Sequence, residues 1–307
     1  MTRSSDVSVR GLGLSALLAG IALVAWAAFV GMRVRSEPSP CDAGRLAAGG
    51  GRCCAPGQTA HRGGCRGRPT ECPPGTRPAG GSQLGCVAPA EKVPIAGGSV
   101  LLGPTDWDGA AVRPARVVTV RDFLIDRVEV TEERYAECAR AGMCPPRDTQ
   151  VEPGLPVSGV GAETAEQFCA FAGGRLPTGD EWLFAAAGAE ARRYPWGPHG
   201  LVCRRAVYGR VDGPCARGAT GPDLAGTRSA GRTPSGVLDL AGNVAEWTRD
   251  ENGQLALRGG SFASTAAASL KSWAEQAPRA SAESGFRCAY APSSSGGAQM
   301  HEENPSR

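Results

Sequence analysis

The residues best suited to chemistry lie in the stretch LRGGSFASTAAAS, residues 257–269. Two glycines and Ser261 follow a strand-like approach, and the tract after them is rich in serine, threonine and alanine, with no charged, amide or thiol side chain. A serine nucleophile needs a base within hydrogen-bonding reach. Only His199 lies in the same predicted domain as Ser264, and its Gly- and Pro-rich surroundings favour a solvated loop histidine over a catalytic base.

The elements that must hold this loop are short strands and a few helices. The segments GGSVLLG, RVVTV and FLIDRVEV are typical of strands separated by turns. Thr131 caps a predicted helix over EERYAECARAG that ends at Gly142, and the capping box Thr178-Gly-Asp-Glu181 begins another over GDEWLFAAAG. A third helix over AETAEQFCAFAGG has apolar residues at helical spacing: Ala165, Phe168, Cys169 and Ala172. Beyond Gly188 we expect long loops that metals or disulfides fix.

The charge of the chain argues against a nucleic-acid partner. Its 33 basic and 30 acidic residues leave a net charge of +3 at pH 7, too small for a strong field over the whole chain. At 307 residues, the chain is long enough for one large domain and a smaller one. We therefore expect no nucleic-acid binding.

Residues 11–32, GLGLSALLAGIALVAWAAFVGM, contain no charged side chain. At a helical rise of about 1.5 Å per residue they span about 33 Å, which matches the hydrocarbon core of a bilayer. A cleaved signal peptide is the alternative, because Ala25-Trp26-Ala27 resembles a cleavage site. The apolar run continues past that site, so we favour an uncleaved membrane anchor.

The cysteines predict which side of the membrane the chain occupies. There are twelve, and six of them lie between Cys41 and Cys86. Cytosolic thiols stay reduced, so this density indicates an oxidising, extracytoplasmic compartment such as the periplasm. The expected order begins with a cytoplasmic tail (1–10), a transmembrane anchor (11–32) and a linker (33–40). A Cys-rich segment (41–90), a large domain (91–291) and a disordered tail (292–307) follow.

The Cys-rich segment, residues 41–90, has too few large apolar residues to form a core, so disulfides must hold it. Two similar units, CAPGQTAHRGGC and CPPGTRPAGGSQLGC, favour closed loops through Cys54–Cys65 and Cys72–Cys86. Cys41 would then pair with Cys53, but six cysteines allow several other connectivities. A zinc site is the alternative, although the segment has no paired Cys-x-x-Cys spacing.

Seven segments follow one another along the chain: PIAGGSVLLG, FLIDRVEVTEERYAECARAG, PVSGVGAETAEQFCAFAGGRLPTGDEWLFAAAG, YPWG, GVLDLAGNVAEWTRD, LRGGSF and GFRC. Together they resemble the sulfatase-modifying-factor domain, the family of the formylglycine-generating enzyme, over about residues 92–290. The resemblance implies a variant of the C-type-lectin-like fold, of the α+β class, with little regular secondary structure. Active members oxidise a cysteine of a target polypeptide to formylglycine, using oxygen and copper(I).

The same resemblance implies what the stretch at residues 257–269 lacks. Active members carry two cysteines beyond the serine of Gly-Gly-Ser, and the matching positions here are Ser264 and Ser269. Copper(I) selects thiolate sulfur, and a neutral hydroxyl is a very poor ligand for it. A serine also cannot form a disulfide with a substrate cysteine. We therefore expect a pseudoenzyme without copper, in which Ser261 and Arg258 remain beside the vestigial positions.

Some relatives outside the copper-dependent group bind iron through histidines. The three histidines of this chain, His61, His199 and His301, fall in three different segments. They cannot build a three-histidine iron site in one domain. An enzyme with a different oxidative or modifying chemistry in the same groove remains the alternative to a pseudoenzyme.

The family pattern also implies a calcium site in DLAGNVAEW. Its ligands would be the side chains of Asp239 and Glu246 and the carbonyls of Gly242 and Val244, because calcium prefers hard oxygen ligands. The alternative is that Asp239 and Glu246 are surface charges near a tight turn. A second calcium site of the family, just after YPWG, lacks matching carboxylates here.

Three disulfides are expected in the large domain. Cys169 and Cys288 match a cysteine pair that the family uses as a disulfide. Cys138 and Cys144 flank a predicted helix end at a spacing that can close a local bridge. Cys203 and Cys215 could brace the loop after YPWG, which would pair every cysteine of the domain.

The leading interpretation is a membrane-anchored family member that acts by binding a peptide, glycan or protein. The groove that would receive this ligand is expected around five side chains: Trp182, Trp196, Trp247, Arg258 and Arg287. For Trp182 and Trp247, a place in the core is the favoured alternative. The other candidates are an enzyme acting in the same groove and an envelope scaffold whose Cys-rich segment makes the contacts.

Overall fold

The computed structural model describes the Cys-rich segment in part and most of the large domain. The described residues are 46–47, 53–61, 64–72, 76–78, 86–87, 90–102, 116–148, 151–216, 220–265, 270–272 and 275–292. The predicted anchor over residues 11–32, the linker and the predicted tail beyond residue 292 lie outside them. Within the described residues, no helix is long and apolar enough to cross a membrane.

Short antiparallel strand pairs and disulfides organise the Cys-rich segment. The pairs are β1 (Leu46–Ala47) with β2 (Cys53–Cys54), β3 (Thr59–His61) with β4 (Gly64–Arg66), and β5 (Arg77–Pro78) with β6 (Cys86–Val87). Disulfides join Cys54 to Cys65 and Cys72 to Cys86, as the internal repeat predicts. The expected bridge between Cys41 and Cys53 lies outside the described side chains.

Two small sheets and a strand pair form the β part of the large domain. The first sheet has the antiparallel order β15 (Ala289–Tyr290), β10 (Phe123–Asp126), β7 (Lys92–Ile95). The second has the order β13 (Glu275–Gln276), β12 (Leu255–Arg258), β11 (Ala245–Arg249), β14 (Ser284–Gly285), in which β11 and β14 run parallel. The separate pair is β8 (Gly98–Leu102) with β9 (Arg116–Val120). Since β14 and β15 each join a sheet, the end of the domain closes both.

In the described part of the large domain three α-helices pack on these strands, and two of them begin where their capping residues predict. Helix α1, Glu132–Arg140, starts after Thr131, whose side chain accepts the N–H of Arg134. Helix α2 covers Ala162–Phe171 and has no side-chain cap. Helix α3, Gly179–Ala187, begins with the predicted capping box, in which Thr178 and Glu181 each accept the other's backbone N–H.

The described residues form four apolar clusters, and the two largest make up most of the core. One lies between α1, α2 and β11, where the ring of Phe168 is 5.5 Å from that of Phe286 and 6.1 Å from that of Tyr135. The other packs α3 against β7 to β10 and contains Trp182. Trp182 and Trp247 are 0% and 2% exposed, so both are core residues.

Disulfides hold the loops that the sheets do not reach. Cys169–Cys288 joins α2 to the segment entering β15, Cys138–Cys144 closes the end of α1, and Cys203–Cys215 braces the loop after YPWG. The long stretch between α3 and β11 has one short helical turn, at Ser229–Gly231. The domain is therefore a mixed α and β structure with little regular secondary structure, as the sequence predicts.

The Cys-rich segment rests directly on the large domain. A side chain added at Gly154 would place its Cβ only 1.8 Å from the carbonyl oxygen of Cys86. The described residues of both parts fall in one compact unit. The two parts predicted as separate domains therefore share a packed contact.

Candidate functional site

The serine loop, residues 259–269, begins where β12 ends at Arg258. Its described part is 259–265, and Ser269 lies outside the described residues. Gly259 and Gly260 have φ angles of 86° and 69°, in the left-handed region that favours glycine. A Cβ at Gly259 would also lie 3.1 Å from the ring of Trp182. The two glycines therefore turn the chain sharply against the core.

Two hydroxyl groups shape the described part of this loop. The Ser264 hydroxyl accepts the backbone N–H of Ser261 at 2.9 Å, and the Ser264 N–H donates to the Ser261 carbonyl at 3.1 Å. The Ser261 hydroxyl donates to the carboxylate of Glu283 and accepts the N–H of Ala263 at 3.2 Å. Both hydroxyls thus stabilise the turn, and Ser261 is only 1% exposed.

Backbone hydrogen bonds fix the serine loop to its neighbours. The N–H of Gly209 donates to the Ser264 carbonyl, and the N–H of Arg210 donates to the Phe262 carbonyl, both at 2.9 Å. Phe262 in turn donates to the carbonyl of Asn243 at 2.8 Å. The loop is therefore held in place without any sulfur atom.

In the described part of the serine loop, residues 259–265, the side-chain hydrogen bonds involve hydroxyls and the carboxylate of Glu283. Each cysteine whose side chain is described takes part in a disulfide, so the described residues offer no thiol. His199 is exposed, and no hydrogen bond in the described part joins it to Ser264. The structure therefore does not bring together the serine and histidine that a nucleophile would need.

A second candidate, the carboxylate centre, lies beneath the segment DLAGNVAEW and consists of Glu129, Asp239, Glu246 and Arg287. Arg287 Nη2 donates to Glu246 Oε1 and Arg287 Nε to Glu246 Oε2, each at 2.7 Å. Trp182 Nε1 also donates to Glu246 Oε2 at 2.7 Å. Glu246 and Arg287 are both 0% exposed, so this ion pair is entirely inside the protein.

Asp239 lies in the same buried centre. Its Oδ2 accepts the backbone N–H of Gly226 at 2.5 Å, and its φ angle is 57°, an unusual value for an aspartate. Burial raises the pKa of Asp239 above its ordinary value, although that hydrogen bond acts in the opposite direction. Asp239 and Glu246 are thus buried and are not the surface charges of the alternative interpretation.

Sequence analysis missed Glu129, the third carboxylate of the centre. Glu129 is 0% exposed, and neither of its carboxylate oxygens has a hydrogen-bond partner in the described part of the chain. Burial raises its pKa well above the ordinary value, and the charge of Asp239 raises it further. In the sequence, Glu129 stands between Val128 and Val130. If these three residues formed a strand, their side chains would alternate between its two faces, and Glu129 would be expected at the surface.

Three carboxylates and one guanidinium leave an excess of negative charge in this buried volume if all of them ionise. Charge without a partner is costly to bury, so a proton or a cation must offset it. Hard carboxylate and carbonyl oxygens with excess negative charge suit calcium. The donor set at Asp239, Glu246, Gly242 and Val244 therefore fits the ion chemically.

The side-chain geometry limits how calcium could be held. Within the described residues, no three or more His, Cys, Asp or Glu side chains gather as a metal cluster. A calcium ion would therefore depend on the two backbone carbonyls, and it would share Glu246 with Arg287 and Trp182.

The structure corrects the groove expected around three tryptophans and two arginines. Trp182, Trp247, Arg258 and Arg287 are at most 5% exposed, so none of them can line a groove open to solvent. Three of them have internal hydrogen-bond partners: Trp247 Nε1 donates to the Val160 carbonyl at 2.8 Å, and Trp182 and Arg287 both donate to Glu246. The groove prediction was wrong for Arg258 and Arg287, whereas the favoured alternative, a place in the core, is confirmed for Trp182 and Trp247. Contacts between residues remote in sequence, such as Arg287 with Glu246, accompany this burial.

Trp196 is the remaining residue of that set, and it is half-buried. Its ring stacks on Tyr194 at 5.2 Å between centroids, and Arg205 lies 5.9 Å from its ring. Its Nε1 donates to the carbonyl of His199 at 2.9 Å. Neighbouring side chains therefore already engage the ring, and a backbone carbonyl accepts the indole N–H.

The large domain is similar to proteins of known family. The family model described as sulfatase-modifying factor enzyme 1-like domain matches residues 84–292. The formylglycine-generating enzyme of Mycobacterium tuberculosis is 29% identical over 226 residues, which cover 52% of this chain and 74% of that protein. The inactive C-alpha-formylglycine-generating enzyme 2 of Mus musculus is 29% identical over 273 residues, which cover 67% of this chain and 88% of that protein.

The fold is also similar to a solved structure, that of PvdO from Pseudomonas aeruginosa. The TM-score is 0.53 at 23% sequence identity, over 66% of this chain and 95% of that chain. This likeness shows the fold alone. The family match spans the large domain, including the serine loop and the carboxylate centre. The chain therefore belongs to the sulfatase-modifying factor enzyme 1-like family, which includes the formylglycine-generating enzymes.

Proposed function

We propose that this protein does not form formylglycine and acts instead as an extracytoplasmic binding module of its family. The observation that carries the proposal is Ser264, which occupies the first of the two expected thiol positions and uses its hydroxyl to hold the loop. A hydroxyl at this position is a very poor ligand for copper(I) and cannot form a disulfide with a substrate cysteine. Ser269 at the second position would have the same consequence.

The names of the two relatives are compatible with this proposal. One is called a formylglycine-generating enzyme and the other an inactive one, and both are 29% identical to this chain. The family scaffold therefore carries proteins of both kinds. The serine loop, rather than overall similarity, supports placing this chain with the inactive kind.

The cellular location is part of the proposal. The described residues contain five disulfides, which favour an oxidising compartment. The apolar residues 11–32 would anchor the chain in the membrane and leave the large domain on the extracytoplasmic, periplasmic side. A binding module there would meet peptides, glycans or other envelope proteins.

Calcium is the cofactor that we propose for the carboxylate centre. Asp239 and Glu246 would hold it with the carbonyls of Gly242 and Val244, and its charge would offset the buried carboxylates. The role of the ion would be structural, because Asn243 in the same segment accepts the N–H of Phe262 from the serine loop. Fixing that segment would also fix the loop.

The alternative is an enzyme that uses a different chemistry in the same region. The hydrogen bond from Ser261 to Glu283 pairs a hydroxyl with a carboxylate and is the observation that favours it. Burial of Ser261 argues against it, because a nucleophile must reach its substrate. We therefore keep the binding module as the proposed function.

Copper content and oxygen uptake separate the two functions. The full-length protein, incubated with copper(I) and a cysteine-containing peptide, should hold no stoichiometric copper and consume no oxygen above the rate with peptide alone. A formylglycine-generating enzyme under the same conditions is the positive control. Peptide-dependent oxygen uptake by this protein would show that it is an enzyme.

A further inference from the structure

A cleft beside helix α1 lies outside both the serine loop and the carboxylate centre. Its volume is about 240 Å³, which is smaller than the roughly 300 Å³ at which pockets begin to hold drug-sized ligands. Tyr135 and Val157 in its lining are 3% and 0% exposed, so they belong to its floor. The cleft therefore has the size and the apolar base for a single side chain.

The sequence of α1 explains why this space exists. Ala136 and Ala139 line the cleft one turn apart, because residues three apart share a helix face. Their small side chains leave room that larger ones would fill. Pro146 and Val151 complete the apolar lining. The disulfide Cys138–Cys144 fixes the chain that leads from α1 to Pro146, so the cleft is a stable feature of the fold.

Two arginines give the cleft its charge. Arg147 is half-buried and donates from Nη2 to the Ser158 carbonyl at 2.7 Å, which leaves other N–H groups of its guanidinium for a ligand. Its guanidinium also lies 5.8 Å from the ring centre of Tyr135. Arg140 is exposed, and its side chain makes no hydrogen bond or ion pair within the described ranges.

The carboxylate in the lining does not cancel this positive charge fully. Glu132 is held by the backbone, since its Oε2 accepts the N–H of Glu152 at 2.6 Å. Glu133 and Glu137 lie on the same helix but do not line the cleft. The ligand best suited to the cleft therefore combines an apolar side chain with a negative charge.

We propose that this cleft binds the C-terminal residue of a peptide, with an apolar side chain on the floor and the terminal carboxylate on Arg140 and Arg147. Guanidinium groups bind carboxylates through charge-assisted hydrogen bonds. Val151 is 41% exposed at the cleft and offers apolar surface to the preceding residue, which favours a peptide over a free amino acid. The site shares no lining residue with the serine loop, so it does not depend on whether that loop is catalytic.

The first test compares two small probes. N-acetyl-Gly-Leu carries the terminal carboxylate, and N-acetyl-Gly-Leu-amide is the matched control without it. Calorimetric titration of the full-length protein should show the acid binding at least about tenfold more tightly than the amide. Equal affinities, no binding of the acid, or free leucine binding as tightly as N-acetyl-Gly-Leu would contradict the proposal.

The second test uses variants that spare the fold. Ala139→Leu fills the cleft while keeping a good helix former. Arg140→Gln removes a guanidinium that makes no described hydrogen bond. Each variant should bind N-acetyl-Gly-Leu about tenfold or more weakly than the parent does. Glu137→Gln changes an exposed residue of the same helix outside the lining and should bind as the parent does. If Ala139→Leu and Arg140→Gln both bind the acid as the parent does, the proposal is wrong.

Discussion

The carboxylate centre and the serine loop are neighbours in this fold, and they differ in what holds them together. In the carboxylate centre, Glu246, Arg287 and Trp182 form hydrogen bonds between fully buried side chains. In the serine loop, hydroxyls bond to backbone amides near the surface, and Ser264 is half-buried. The two regions meet where Phe262 donates to the carbonyl of Asn243.

This difference shows that the shape of the loop and its reactive groups are separable. The described part of the loop is held by Gly259 and Gly260, by backbone hydrogen bonds and by the hydroxyls of Ser261 and Ser264, and none of these groups is a thiol. The carboxylate centre, in contrast, depends on an ion pair between two fully buried charged side chains, Glu246 and Arg287. Changes near the centre should therefore affect stability, whereas changes in the loop should affect chemistry.

The largest expected effect concerns the disulfide beside Arg287. Replacing Cys169 and Cys288 with alanine opens a long loop and should lower the free energy of unfolding by about 5 kcal/mol. The control replaces Cys203 and Cys215, which close a short loop, and should lower the free energy of unfolding by about 3 kcal/mol. Chemical denaturation of both double variants measures the difference. Equal losses for the two pairs would contradict the prediction.

The next effect concerns the buried ion pair. Glu246→Ala leaves Arg287 buried without its carboxylate and should lower the free energy of unfolding by about 3–5 kcal/mol. The control is Glu166→Ala, which breaks the half-exposed pair with Arg249 and should cost about 1 kcal/mol or less. If the two variants are equally stable, the carboxylate centre does not hold the core.

The sequence predicts features that depend on nearby residues. The starts of α1 and α3 follow from Thr131 and from the capping box at Thr178, because a cap bonds to amides within three residues. Burial of Glu129 could not be predicted in this way. Its environment is formed by Asp239 and Arg287, which are far along the chain.

Contacts between residues far apart along the chain also explain why the prediction of the groove was wrong. A tryptophan or arginine suits a binding surface as well as a core, and its type alone does not distinguish them. Trp182 is buried because Glu246 accepts its indole N–H, and Arg287 is buried because Glu246 accepts from its guanidinium. Those contacts appear only when α3, β11 and the segment before β15 are packed together.

A smaller effect should follow from removing calcium. If the carboxylate centre holds the ion, excess chelator should lower the melting temperature. A calcium concentration of about one hundred times Kd should then raise the free energy of unfolding by about 2.7 kcal/mol. Glu246→Ala should show no such calcium dependence. A parent protein whose melting temperature is the same with and without chelator would show that the site is absent.

The smallest effect on stability is expected in the serine loop, where the change in chemistry should be large. Ser264→Cys with Ser269→Cys should lower the free energy of unfolding by about 1–2 kcal/mol, because sulfur is larger than oxygen and is a weaker acceptor for the Ser261 N–H. Two thiolates suit copper(I), so the double variant should bind it much more tightly than the parent. Single variants are the controls, since one thiolate should bind more weakly than two. Equal copper affinity for the parent and the double variant would contradict the prediction.

Formylglycine formation by the unmodified protein is the most direct test of the account. Mass spectrometry of a cysteine-containing peptide, incubated with this protein, oxygen and copper(I), should find the cysteine unchanged. The formylglycine-generating enzyme of Mycobacterium tuberculosis serves as the positive control for the assay. Conversion of that cysteine to formylglycine by the parent protein would falsify the conclusion that its serine loop has lost the activity.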